Sequence, residues 1–174
     1  MDSQKLVQEL VQLGFEVKVD GETVRVKVGP EKVREAMYSL RRLGINLFLS
    51  LTAVDEPSTN EIKVLYHLTS IANPELVVVV ETSTTRDKPV VQSIADIYPA
   101  AQIQEREEHE MLGVVFEGNP DLRRLLLPPD WPKDVYPLRK DFEIAEEPFM
   151  STRQSKPIRL HGAENGEGLR TSRA

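Results

Sequence analysis

Apolar residues along the first part of the chain follow two rhythms. Leu6, Leu10 and Leu13, flanked by Val7 and Val11, recur at three- and four-residue steps, which predicts an amphipathic helix ended by Gly14. Phe15, Val17 and Val19 then alternate with Glu16, Lys18 and Asp20, and Val24, Val26 and Val28 alternate with Arg25 and Lys27. Asp20-Gly21 between the two runs predicts a hairpin, because the tight turn needs positive backbone angles. Pro30 and Glu31 open a second helix with Val33, Ala36, Met37 and Leu40 on one face, and Gly44 closes it.

Three more strands follow. Residues 46–54 are apolar on both faces, which predicts a strand central in its sheet. Residues 61–68 and 76–80 come next, separated by the turn-rich 55–60 segment and by Asn73-Pro74. Residues 83–89 are a polar loop, and Ser93 with Asp96 signals one helical turn before Tyr98-Pro99. Pro99 then starts a third helix, which Gly113 terminates. The order predicts an α+β fold over residues 1–142: a mostly antiparallel sheet with covering helices. Residues 143–174 mix charges of both signs with Ser, Gly and Pro and have no sustained apolar period. They are expected to be an extended C-terminal arm that orders on a partner, with Phe149, Met150, Ile158 and Leu160 as spaced anchors.

Composition narrows the chemistry. A chain of 174 residues suffices for one domain and a tail, and its net charge of −6 argues against nucleic-acid binding. The absence of cysteine removes disulfides, thiol catalysis, iron–sulfur ligation and the thiolates of a nickel–iron centre. His67, His109 and His161 have none of the short spacings of a zinc motif, and His67 in an apolar strand reads as a packed core histidine. No apolar run reaches the length of a membrane span, and no signal peptide opens the chain, so a cytoplasmic protein is expected.

The third helix carries Glu105, Glu107, Glu108 and Glu110. A dimetal site on helices wants Glu-x-x-His, but Arg106 stands three residues before His109. The charges therefore read as a solvated or ion-paired helix. Arg106 and Glu110 lie one turn apart on one face, and an Arg among carboxylates suits bidentate pairing. Asp121, Arg123 and Arg124 follow Asn119-Pro120 in a turn without the Gly-rich loop of a phosphate site, which favours protein anchoring. Trp131, between Pro129 and Pro132, reads as a rigid anchor. From another class, the Glu-rich helix with His109 could serve an independent hydrolase. A third reading is a free-standing binding module.

Three blocks carry a resemblance: Glu105-Arg106-Glu107 through Glu110-Met111 to Gly113, Phe116-Glu117-Gly118 with Pro120-Asp121-Leu122-Arg123-Arg124, and Pro137-Leu138-Arg139-Lys140-Asp141-Phe142. Together with residues 51–55 and 64–68, they resemble the thirty-kilodalton subunit of respiratory complex I and of its relatives, the membrane-bound group 4 nickel–iron hydrogenases and ferredoxin-linked complexes. Two departures are His109-Glu110, where complex I sequences usually have an aromatic and Asp, and the 127–132 insert, which is closer to the hydrogenase branch. The resemblance implies a non-catalytic structural and assembly subunit with no cofactor of its own. It would pack on the large catalytic subunit that holds the quinone or nickel–iron site, near the small iron–sulfur subunit, on the cytoplasmic face of the membrane. Within the family a membrane-bound hydrogenase or ferredoxin-linked complex is preferred over a quinone-type complex I. The interface and structural residues so implied are Glu105, Arg106, Glu107, Glu110, Asp121, Arg123, Arg124, Trp131, Pro137, Leu138, Arg139, Lys140 and Asp141. No catalytic, cofactor-binding or metal residue is expected in this chain.

Overall fold

A computed structural model describes residues 3–143. Residues 1–140 form one compact unit, and Asp141 opens a second. Beyond Glu143 the expected arm lies outside the described residues.

The helical rhythm of the first residues becomes α1 (Ser3–Gln12), which buries Leu6 and Leu10. The alternating runs become β1 (Glu16–Asp20) and β2 (Thr23–Lys27), paired antiparallel around the Asp20-Gly21 turn. Gly21 there has φ +59°, the conformation such a turn demands. A 3-10 turn at Pro30–Lys32 leads into α2 (Val33–Arg42), whose Val33, Ala36, Met37 and Leu40 are all buried. Then come β3 (Leu47–Glu56), β4 (Glu61–Ser70) and β5 (Asn73–Thr85), followed by β6 (Val90–Gln92), α3 (Ala101–Leu112) and β7 (Val115–Glu117).

The main sheet has the order β1-β2-β5-β4-β3, antiparallel except for the parallel β2–β5 pair. This is the expected mixed α+β architecture. The core lies on the sheet face formed by Val24, Val26, Ile62, Val64, Tyr66, Leu68, Val78 and Val80, together with buried residues of α1 and α2. Each fully buried aliphatic side chain contributes about 1.5–3 kcal/mol.

Three expectations need correction. The 46–54 strand is at the edge of the sheet, not its centre. Its second apolar face remains exposed, with Leu47 at 40%, Leu49 at 45% and Val54 at 37%. An unpaired edge leaves backbone groups open, and α3 takes the place of a further strand. Gln104 accepts the Leu51 N–H at 2.5 Å, and the Glu108 carboxylate accepts that of Ala53. His67 is half-buried on the face opposite the core, with Nδ1 3.2 Å from the Ser50 hydroxyl, because odd-numbered positions of β4 point outward. The region of the polar 83–89 loop is partly strand, since β5 continues to Thr85. Residues 90–92 and 115–117 add a short parallel pair too brief for periodicity to reveal.

Candidate interaction site

Helix α3 and the segments around it gather most of the singled-out residues. The helix ends at Gly113, whose φ of +83° closes the last turn and lets its N–H reach the His109 carbonyl at 3.0 Å. The same glycine touches Tyr136: a Cβ there would lie 2.5 Å from the ring. The chain beyond residue 135 therefore packs directly on the end of the helix.

Glu105 has no solvent exposure. One carboxylate oxygen accepts the Ser93 hydroxyl at 2.6 Å and the Asn119 amide at 2.8 Å, while the other accepts the Ile94 N–H at 2.7 Å. Burial pushes its pKa up against these three donors. The side chain thus fastens two loops to the helix. Asn119 continues the chain of bonds by accepting the Asp121 N–H at 2.9 Å.

One turn apart on α3, Arg106 and Glu110 hold successive parts of one loop. The Arg106 guanidinium donates to the carbonyls of Arg123 and Arg124 and lies 3.6 Å from the Asp121 carboxylate. Glu110, 8% exposed, accepts the N–H groups of Leu125 at 3.2 Å, Leu126 at 2.7 Å and Leu127 at 3.0 Å. Five consecutive residues thus have a backbone group held by two ionised side chains. Arg106 finds its carboxylate in Asp121, not among its helix neighbours. Glu107 is exposed.

The remaining residues extend this clasp. Asp121 accepts the backbone N–H of Arg123 at 3.0 Å and its guanidinium at 2.9 Å from two nitrogens, and that guanidinium holds the carboxyl well below its usual range. Arg124 uses its fork inside the loop, on the carbonyls of Pro128 and Trp131. Trp131 Nε1 donates to the Val135 carbonyl at 2.9 Å. His109, Glu110, Trp131 and Tyr136 help to line a cavity of about 230 Å³ under this loop. Leu138 donates its N–H to Met111, and Arg139 donates Nε to Leu112 at 2.9 Å while its guanidinium lies 4.5 Å from the Tyr136 ring centre. Pro137 is half-buried, Lys140 is exposed apart from its backbone bond to Asp55, and Asp141 is exposed in the second unit.

Two functional carboxylates escaped the sequence reading. Asp55, 3% exposed, accepts the Arg86 guanidinium at 2.5 and 3.1 Å and the Lys140 N–H at 2.8 Å. Burial alone would raise its pKa, but the guanidinium and the N–H together hold it below the ordinary value. The available signal was an acid at the end of an apolar strand. Glu108 faces the β3 edge, and burial raises its pKa to about 7 against the bond from Ala53. Its Oε2 has no hydrogen-bond partner.

These contacts commit Glu105 and Glu110 to hydroxyl, amide and backbone donors in two different loops. His109 Nδ1 faces the Val114 carbonyl at 2.8 Å. The arrangement therefore fixes loops and does not converge acid, base and nucleophile on one point. Among the described residues no three of His, Cys, Asp and Glu stand close enough to hold a metal ion. No helix among them is long and apolar enough to cross a membrane.

Comparison with known proteins agrees with this geometry. A sequence profile described as the respiratory-chain NADH dehydrogenase, 30 Kd subunit, matches residues 26–148. A fused NADH-quinone oxidoreductase C/D protein of Phocaeicola vulgatus is 37% identical over 131 residues, 75% of this chain and 25% of that one. A membrane-bound hydrogenase subunit beta of Pyrococcus furiosus is 32% identical over 145 residues, 78% of this chain and 83% of that one. A chain in the solved structure of the membrane-bound sulfane sulfur reductase, an archaeal respiratory membrane complex, is similar with a TM-score of 0.74 and 31% identity. That match covers 82% of this chain and 86% of the other.

Proposed function

The chain belongs to the family of the thirty-kilodalton subunit of the respiratory-chain NADH dehydrogenase, and we propose that it is a cofactor-free assembly subunit of a membrane-bound, energy-converting redox complex. The observation that carries the reading is the use of the α3 charges. Glu105, Arg106 and Glu110 make hydrogen bonds that shape loops, as a scaffold requires and a hydrolytic site does not. Electrons would pass through neighbouring subunits, since the chain has no cysteine for an iron–sulfur cluster.

The partner of first choice is the large catalytic subunit, with the small iron–sulfur subunit nearby, on the cytoplasmic side. Support comes from the relative whose name joins C and D and of which this chain matches only 25%; such a fusion suits two parts that are neighbours in the complex. The hydrogenase or ferredoxin-linked branch is favoured by a physical link between the two sequence departures. Glu110 bonds to Leu127, the first residue of the insert, so the acid and the insert act as one feature. The quinone-reducing branch is the second reading, favoured by the 37% identity to an NADH-quinone oxidoreductase protein.

Deleting the chain from its host tests the role. The expected result is loss of the large subunit from membranes, while the purified chain shows neither iron, nickel nor a flavin band. A complex that assembles fully without the chain but does not turn over would assign the chain a catalytic role instead, and stoichiometric metal or flavin would end the cofactor-free reading.

A further inference from the structure

Leu125 and Leu126 are 39% and 58% exposed, although their backbone N–H groups are bound to the nearly buried Glu110. The preceding carbonyls of Arg123 and Arg124 are held by Arg106, and the following turn is tied by Arg124 to Pro128 and Trp131. Two charged side chains of α3 are thus committed to fixing the backbone of a loop whose apolar side chains face water. Nothing among the described residues covers that apolar surface. A rigid loop loses little freedom on binding, so what the clasp favours is recognition.

The charge around the leucines indicates what they meet. Residues 121–140 hold five cationic side chains, Arg123, Arg124, Lys133, Arg139 and Lys140, against Asp121, Asp130 and Asp134. The whole chain carries −6. The loop is therefore a basic region on an acidic protein, and its complement is an acidic rim. Leu138, 60% exposed, adds apolar surface in the same basic stretch.

We propose that Leu125 and Leu126 form a docking tip that enters an apolar socket rimmed by carboxylates on the large subunit of the complex. This rests on the subunit reading above. The tip supplies apolar area, Arg106 and Glu110 fix its shape, and the flanking cations set its orientation.

The test uses a tag on the large subunit in the native host and compares the parent chain, the double variant Leu125→Ser with Leu126→Ser, and Ile71→Ser. Ile71 is 67% exposed in the turn between β4 and β5 and serves as the control. Recovery of the double variant with the large subunit should fall about tenfold or more. The melting temperature of the isolated chain should not change, and Ile71→Ser should be recovered like the parent. The parent chain has no cysteine, so Leu126→Cys introduces a unique thiol. A maleimide should modify it at least about tenfold more slowly in the complex than in the free chain, whereas Ile71→Cys should react equally in both.

Parent-level recovery of the double variant would overturn the proposal, as would unchanged reactivity of Leu126→Cys in the complex. So would a dimer of the isolated chain that the double variant dissolves without any loss from the complex. Failure of the parent chain itself to accompany the large subunit would defeat the subunit reading first.

Discussion

The carboxylate of Asp55 accepts the backbone N–H of Lys140 at 2.8 Å, across 85 residues of sequence. Its other bonds go to Arg86, whose side chain is 15% exposed, so one buried acid ties the end of β3, the loop after β5 and the 137–140 segment together. Breaking a buried pair by removing one partner typically costs about 3–5 kcal/mol. Asp55→Asn should therefore destabilise the chain by about that amount in chemical denaturation. A loss below about 1 kcal/mol, the range of exposed pairs, would show that the contact is incidental.

Gly113 is constrained twice, by φ +83° and by the Tyr136 ring. Placing an alanine in the left-handed conformation costs about 1–2 kcal/mol, and the clash adds to it. Gly113→Ala should lower the melting temperature. Added to Tyr136→Ala, the same substitution should cost less, because only the backbone penalty remains. Equal costs in both backgrounds would show that the ring moves aside freely.

Glu108 provides a pH test. Its folded pKa of about 7 lies above the ordinary 4.5, so the folded state binds more protons between those values. Stability contributed by the neutral acid is complete below about 4.5 and is lost as pH rises through 7, at no more than about 1.4 kcal/mol per unit. Glu108→Gln should flatten this decline between about pH 5 and 8 while keeping an acceptor for Ala53. An unchanged slope would place the titration elsewhere.

Arg106 holds the carbonyls of Arg123 and Arg124 and faces Asp121. Hydrogen bonds to a charged group are worth about 1.5–3 kcal/mol, so Arg106→Ala should destabilise by that order and speed amide exchange at residues 125–127. Arg106→Lys should recover only part, since an ammonium cannot span two carbonyls and a carboxylate with a planar fork. Full recovery by lysine would reduce the role to charge alone.

The elements legible in the sequence are those with a local cause. Asp20-Gly21, Gly44 and Gly113 carry their backbone demands in their identity, and the α2 face of Val33, Ala36, Met37 and Leu40 shows its partner in its spacing. The place of β3 was not legible. An apolar strand looks the same whether a strand or a helix covers its edge, and only the fold brings Gln104 and Glu108 to Leu51 and Ala53. At the site, the importance of Arg106 and Glu110 was readable from their one-turn spacing, but their partners were not. Backbone carbonyls and amides at residues 123–127 carry no signature in side-chain sequence. The three-residue strands β6 and β7 were missed for want of length.

If this chain works only as part of a larger redox assembly, it should leave the membrane in company. Purifying the tagged native chain from host membranes under mild detergent, then measuring subunit stoichiometry by mass spectrometry together with iron content, tests this most directly. The expected result is equimolar large and iron–sulfur subunits, with all iron lost when this chain is stripped from them and analysed alone. A chain that elutes by itself and hydrolyses a substrate, or one that retains iron after stripping, would contradict it.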